Sequence, residues 1–137
     1  MSVPPIKPMF MSDRHVEMMN TILATDYSSK TECGRLDRSY WMCYELMQGE
    51  HTVLWSVEFS PRHGVRFSLE PPVGAEPDVL FRGDYRAVVE ATRLGKEGKD
   101  SPLPITTHGD PGVMAIIGPA FAAARRAATI PSEFPTD

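Results

Sequence analysis

Thr52-Val53-Leu54-Trp55-Ser56-Val57-Glu58-Phe59, then Ser60-Pro61-Arg62-His63-Gly64, then Val65-Arg66-Phe67-Ser68-Leu69, is the stretch that decides the fold. In its first part Val53, Trp55, Val57 and Phe59 point one way, and Thr52, Ser56 and Glu58, with Leu54, point the other. A period of two is the signature of a strand with one apolar face. Ser-Pro-Arg-His-Gly is a turn, because Pro presets φ and Gly admits a left-handed φ. After it Val65, Phe67 and Leu69 alternate with Arg66, Ser68 and Glu70, a returning strand. Upstream, Ser39 to Met47 is apolar on both faces, as a central strand covered on both sides is. Gln48-Gly49-Glu50 turns it into the next strand, so the middle of the chain is a three-stranded meander.

Downstream, Pro71 to Pro77 holds too many prolines for regular structure. Asp78 to Arg82 is a short fourth strand, and Asp84 caps a helix that runs to about Arg93 with Val88 and Val89 inward. Gly95 to Asp100 is a charged, glycine-rich loop, and Leu103 to His108 a fifth strand. Gly109-Asp110-Pro111 starts the last helix, with Asp110 as cap and Pro111 in the first helical position. That helix carries Val113, Met114, Ile116, Ile117 and Phe121, then alanines to Thr129, before Pro131 ends it. Gly118-Pro119 lies inside it. An internal proline removes one hydrogen bond and clashes with the preceding turn, so the helix should kink or restart there.

Upstream of the meander, Ser12 caps a helix in which Met18 and Ile22 share a stripe, as do Met19 and Leu23. It should fade near Tyr27-Ser28-Ser29, with residues 29–37 as polar loop. Residues 1–11 read as an extended arm, since Pro4, Pro5 and Pro8 each lack a backbone donor. The arm's apolar end, Met9 to Met11, suits docking on the body or on a neighbouring subunit, which makes a homo-oligomer possible. The fold class is therefore α+β: a five-stranded, mostly antiparallel sheet covered by helices, with an N-terminal helix and a kinked C-terminal helix. The domain runs over 12–131, and 132–137 is a tail.

The chain has 137 residues, 42% hydrophobic and 23% charged, which describes one soluble domain with a real core. A net charge of −4 argues against nucleic acid as the main partner. No apolar run approaches the roughly 18–20 residues of a membrane span, and no signal-peptide core follows the N-terminus. A cytoplasmic location is the expectation. Cys33 and Cys43 form no Cys-x-x-Cys and read as reduced thiols.

Catalytic motifs are not found: no nucleophile elbow, dinucleotide fingerprint, phosphate loop or zinc-protease motif occurs. The four histidines, His15, His51, His63 and His108, have no metal-ligand spacing. Neither a metal nor a cofactor is implied. His15 lies in the first turn of its helix, where residues two apart such as Glu17 do not face it. If the protein is an enzyme, the polar candidates are Tyr40 and Tyr44 on one strand face, and His108 with Asp110 before the last helix. Arg125-Arg126 either offsets the helix dipole or gates an anionic head group.

At this point the chain resembles the sterol carrier protein 2 (SCP2) sterol-binding family over roughly residues 38–129. The resemblance rests on the meander from Trp55 to Leu69 and on Pro77-Asp78-Val79-Leu80-Phe81-Arg82-Gly83-Asp84-Tyr85-Arg86-Ala87-Val88-Val89, an acidic strand start leading into a capped helix. It rests also on Ile105-Thr106-Thr107-His108-Gly109-Asp110, similar to the family's Ile-x-Gly-Asp/Asn entry to the final helix. It implies a five-stranded sheet with helices and an apolar tunnel for a lipid, and it implies no catalytic residue. The Pro-rich arm, Pro119 and the short polar loop from Gly95 to Pro102 depart from the family's pattern; the loop bears on the pocket entrance.

The resemblance, the 8 methionines and the interrupted helix together predict binding or carriage of an apolar ligand such as a sterol, steroid or fatty acyl compound. The expected wall is Met18, Met19, Ile22, Trp55, Phe81, Met114, Ile117 and Phe121. The arm and first helix, facing the last, are the expected lid. Two other readings stand beside it: a small enzyme doing acid–base chemistry on a hydrophobic substrate, and an assembly protein acting through its arm.

Overall fold

The computed structural model describes residues 11–70, 76–99, 104–110 and 112–128. The proline-rich arm up to residue 10, the connection at 71–75, Pro111 and the tail lie outside them. The elements are α1 (Asp13–Leu23), α2 (Tyr27–Cys33), β1 (Tyr40–Gln48), β2 (His51–Ser60), β3 (Gly64–Ser68), β4 (Val79–Asp84), α3 (Tyr85–Lys96), β5 (Ile105–Gly109) and α4 (Gly112–Ala127). The fold is α+β. The strand order is β3-β2-β1-β4-β5, and every neighbouring pair is antiparallel except β1–β4.

The meander forms because its alternation and its turns agree. Gly49 supplies a φ of 64° in the two-residue turn between β1 and β2, where Gln48 faces His51. In register, Trp55 faces Tyr44, Val57 faces Met42 and Phe59 faces Tyr40, so one apolar face is continuous across the strands. Phe59, Met42, Leu46, Val57 and Val79 are fully buried there, with Ile117 of α4. Each such side chain contributes about 1.5–3 kcal/mol through burial.

Asp78 holds the one parallel junction. Its carboxylate accepts from the Trp41 N–H at 2.9 Å and pairs with Arg38 at 2.9 Å. Its own N–H donates to the Trp41 carbonyl, and its carbonyl accepts from Asp110 N–H at 3.2 Å. Gly109 has a φ of 102°, and a side chain there would collide with the Asp78 carbonyl oxygen. This explains why glycine stands at the end of β5. Asp84 then caps α3 by accepting from Ala87 N–H at 3.0 Å.

Three sequence expectations are corrected. Residues 27–33 form a separate helix, α2, where the first helix was expected to fade at 27–29 and residues 29–37 to be loop. Asp26 caps it, accepting from Ser29 N–H at 2.8 Å, and only Ser29 and Cys33 are buried. Its polar sequence shows no apolar stripe; packing against α4 and β3 holds it in place. Secondly, the last helix does not restart at Pro119. It is continuous from Gly112 to Ala127. Pro119 and Ala115, four residues earlier, are both exposed, so water can serve the carbonyl that proline cannot. Thirdly, β1 is central but not buried on both faces: on the face away from the main core Met47 is 46% exposed and Trp41 half-buried. Cys43 is buried on that face because its strand neighbours shield it, with Ser56 Oγ at 3.2 Å and Leu80 alongside in β4.

α1 is clamped to the sheet edge by one side chain. Asn20 Nδ2 donates to the Phe67 carbonyl at 2.8 Å, and Oδ1 accepts from Phe67 N–H at 2.8 Å. The amide thus replaces a missing neighbouring strand on β3. Replacing Asn20 with alanine is expected to cost about 1–3 kcal/mol, since it leaves both backbone groups without their partner. Chemical denaturation measures this, and faster Phe67 amide exchange should accompany it.

Candidate functional site

A cavity of about 500 Å³ lies between the apolar sheet face and helices α1, α3 and α4. Tyr44, Leu46, Trp55 and Phe67 form its floor, and Met11, His15 and Met19 one wall. Its space has a local cause. Ala91 and Gly95 lie one turn apart on α3, and Ala124 and Ala128 one turn apart at the end of α4. Each pair makes a shallow row facing large aromatic side chains, and small residues cannot fill the gap. Val88, Thr92 and Phe121 complete the wall, with Lys96 and Arg125.

The buried and exposed lining residues show which end opens. Leu46, Trp55, Val88 and Ala124 are buried, whereas Gly95, Lys96 and Arg125 are exposed. The mouth therefore lies at the C-terminal ends of α3 and α4. Trp55, 6% exposed, is packed edge-on by His15 at 5.5 Å and by Phe67 at 5.6 Å.

His15 is the polar group that sequence reasoning missed as a wall residue. It is 3% exposed, and its Nδ1 accepts from the Met11 N–H at 3.2 Å. Burial, with the charge of Lys96 second, lowers its pKa to about 4. The ring is therefore neutral at pH 7. Because Nδ1 accepts, its proton sits on Nε2. Met11 holds a left-handed φ of 61°, unusual for a side chain of its type, while making that contact. A signal did exist in the sequence: His15, Met19 and Leu23 follow one another at four-residue spacing and are the buried residues of α1.

The expected wall residues divide. Met19, Trp55 and Phe121 line the cavity. Phe81 is buried behind it, stacked on Tyr44 at 5.0 Å. Ile117 is fully buried core, Met18 and Met114 are half-buried beside the core, and Ile22 is 38% exposed. On a helix, one residue's shift rotates a side chain by about 100°, which separates Met19 from Met18. Met11, the one described residue of the expected arm, lines the cavity with α1.

The four polar candidates for catalysis do not come together. Tyr40 donates to Asp37 at 2.6 Å and lies under the Arg38 guanidinium at 3.9 Å, away from the cavity. Tyr44 is in the floor of the cavity, where burial raises its pKa and Arg125 opposes the rise. His108 is exposed and within 3.2 Å of Thr106 Oγ1. Asp110 is exposed and accepts from Gly112 N–H at 2.9 Å, as the helix start requires. Among the described residues, no three His, Cys, Asp or Glu side chains gather as a metal cage, and no helix is long and apolar enough to cross a membrane.

A mixed five-stranded sheet, open to a cavity under its helices, is an SCP2-like fold. The chain is similar to the solution structure of a conserved hypothetical protein, possibly sterol carrier protein, from Thermus thermophilus. There the TM-score is 0.57 at 12% identity, over 93% of each chain. It is similar also to a crystal structure of sterol carrier protein 2, with a TM-score of 0.53 at 11% identity, covering 89% of this chain and 99% of that one. No family model matches the sequence, and no curated protein matches it.

Proposed function

We propose that the protein binds an apolar, lipid-like ligand in the cavity and carries it through water. The observation behind this is the cavity itself: about 500 Å³, floored by Leu46, Trp55 and Phe67, with Gly95, Lys96 and Arg125 exposed among its lining residues. Ligand sites fall at roughly 300–1,000 Å³ with mostly apolar walls and few polar groups. Burying an alkyl or ring-sized group here contributes about 1.5–3 kcal/mol, so several contacts give micromolar binding. The structures of similar fold include sterol carrier protein 2, which agrees with a carrier's role. Both cysteines are free thiols, which suits a reducing compartment such as the cytoplasm.

Trp55 makes the test direct. Trp41, the other tryptophan, does not line the cavity, so a Trp41→Phe variant leaves Trp55 as reporter. Titration with steroid and acyl probes should give a saturable fluorescence change. Ala124→Phe, which fills the cavity from α4, should weaken that binding by about tenfold or more. A protein that stays folded and shows no saturable change with any apolar probe would sink the proposal.

A further inference from the structure

Among the described residues, the charged side chains that line the cavity are cationic. Its titratable lining residues are His15, Tyr44, Lys96 and Arg125, and no aspartate or glutamate lines it among the described residues. This sits inside a protein whose net charge is −4, so a cationic wall is not the general character of the molecule. Both cations stand at the mouth, on the last turns of two different helices. Both also act across the cavity: the field of Lys96 reaches His15 on α1, and that of Arg125 reaches Tyr44 on β1.

Compensation of the helix dipoles calls for a cation in the last turn but not for one that faces the cavity. On α4, Arg126 stands in the same last turn and does not line the cavity. On α3, Arg93 also stands in the last turn, is paired with Glu90 and Glu97, and does not line the cavity. Lys96 and Arg125 are the members of each pair of cations that face the cavity. Arg125 is further set by Phe121, whose ring lies 5.7 Å from the guanidinium.

We infer that the cavity prefers amphiphiles with an anionic head, and that Lys96 and Arg125 hold that head at the mouth while the apolar tail fills the interior. This rests on the apolar-ligand reading above and narrows it. A carboxylate and a phosphate monoester share the required chemistry. Each places negative charge between two cations where water still reaches, so the head loses little hydration while the tail leaves water.

The test compares three ligands of one chain length, dodecanoate, dodecyl phosphate and 1-dodecanol, on the Trp41→Phe protein with Trp55 as reporter. At least one anion should bind about tenfold or more tightly than the alcohol, and its advantage should shrink with added salt. The tighter anion identifies the head as carboxylate or phosphate. Lys96→Gln and Arg125→Gln, singly and together, should lower anion affinity far more than dodecanol affinity, and the double variant should remove the anion's advantage. Both side chains are exposed, and circular dichroism checks that the variants fold. Equal affinity for alcohol and anions, or an anion preference that survives the double substitution, overturns the inference and leaves the apolar cavity standing. Absence of binding by all three overturns the reading of the cavity as well.

Discussion

Replacing Phe59 with alanine will lower the stability of the fold by about 3–5 kcal/mol. Phe59 is fully buried in β2, facing Tyr40 of β1 and Val65 of β3 across the sheet. Its ring meets Phe121 of α4 edge-on, with centroids 6.0 Å apart at 90°. Truncation therefore leaves a void where three strands and a helix meet, and close-packed neighbours refill such a void only in part. Phe59→Leu keeps most of the volume and should cost less than half as much. Urea unfolding of the two variants measures both losses. A loss below about 1 kcal/mol for the alanine variant would show that this contact is not what holds α4 to the sheet. Phe121 also lines the cavity, so ligand affinity should fall along with stability.

Acid should weaken the protein through His15. Its folded pKa is lowered to about 4 from an ordinary 6.5, chiefly by burial. Above pH 6.5 the ring is neutral in both states and stability is unaffected. As the pH falls from 6.5 towards 4, the unfolded chain takes up a proton that the folded protein resists, so stability drops. The full loss is roughly 3 kcal/mol, reached once the pH is below the folded value. Carboxylates titrate in the same range, so the proper comparison is with His15→Phe, which keeps a ring edge-on to Trp55 and cannot be protonated. The stability of the wild type relative to this variant should fall steadily from pH 6.5 to pH 4. A constant difference over that range would disprove the assignment. Protonation of His15 also ends its acceptance of the Met11 N–H, so the wall at Met11 should loosen in the same interval.

Much of the sheet could be read from residues alone. Alternation from Thr52 to Leu69 and the turns at Gly49 and Pro61 are local signals, and local signals carry β1, β2 and β3 to within a residue or two. The helix starts at Ser12, Asp84 and Asp110 could be read for the same reason, since a cap is a contact between residues two or three apart. α2 could not be read this way. Its two buried residues, Ser29 and Cys33, are small, and its stability comes from α4 and β3, far off in sequence. At Pro119, where a kink or a restart was expected, the restart does not occur, because the helix is continuous across it. The cost of an internal proline is real, but exposure of Ala115 and Pro119 lets solvent absorb part of it, and exposure is a tertiary property.

The cavity shows the same division. Its ingredients could be listed from the residues alone: an apolar sheet face, alanines on the last helix, methionines early, and two arginines near the end. So could Met19, Trp55 and Phe121 as apolar residues on amphipathic elements, because periodicity is local. Which of these apolar residues border empty space and which fill the core depends on how the elements pack. Ile117 and Phe121 lie one turn apart on the same helix, yet the first is core and the second is wall. The difference is what faces each of them, and no spacing rule within one element contains that. His15 and Lys96, far apart along the chain, are brought to one cavity by the packing of two helices on the sheet. Their effect on each other is electrostatic and depends on distance in space, so it came into being only with the fold.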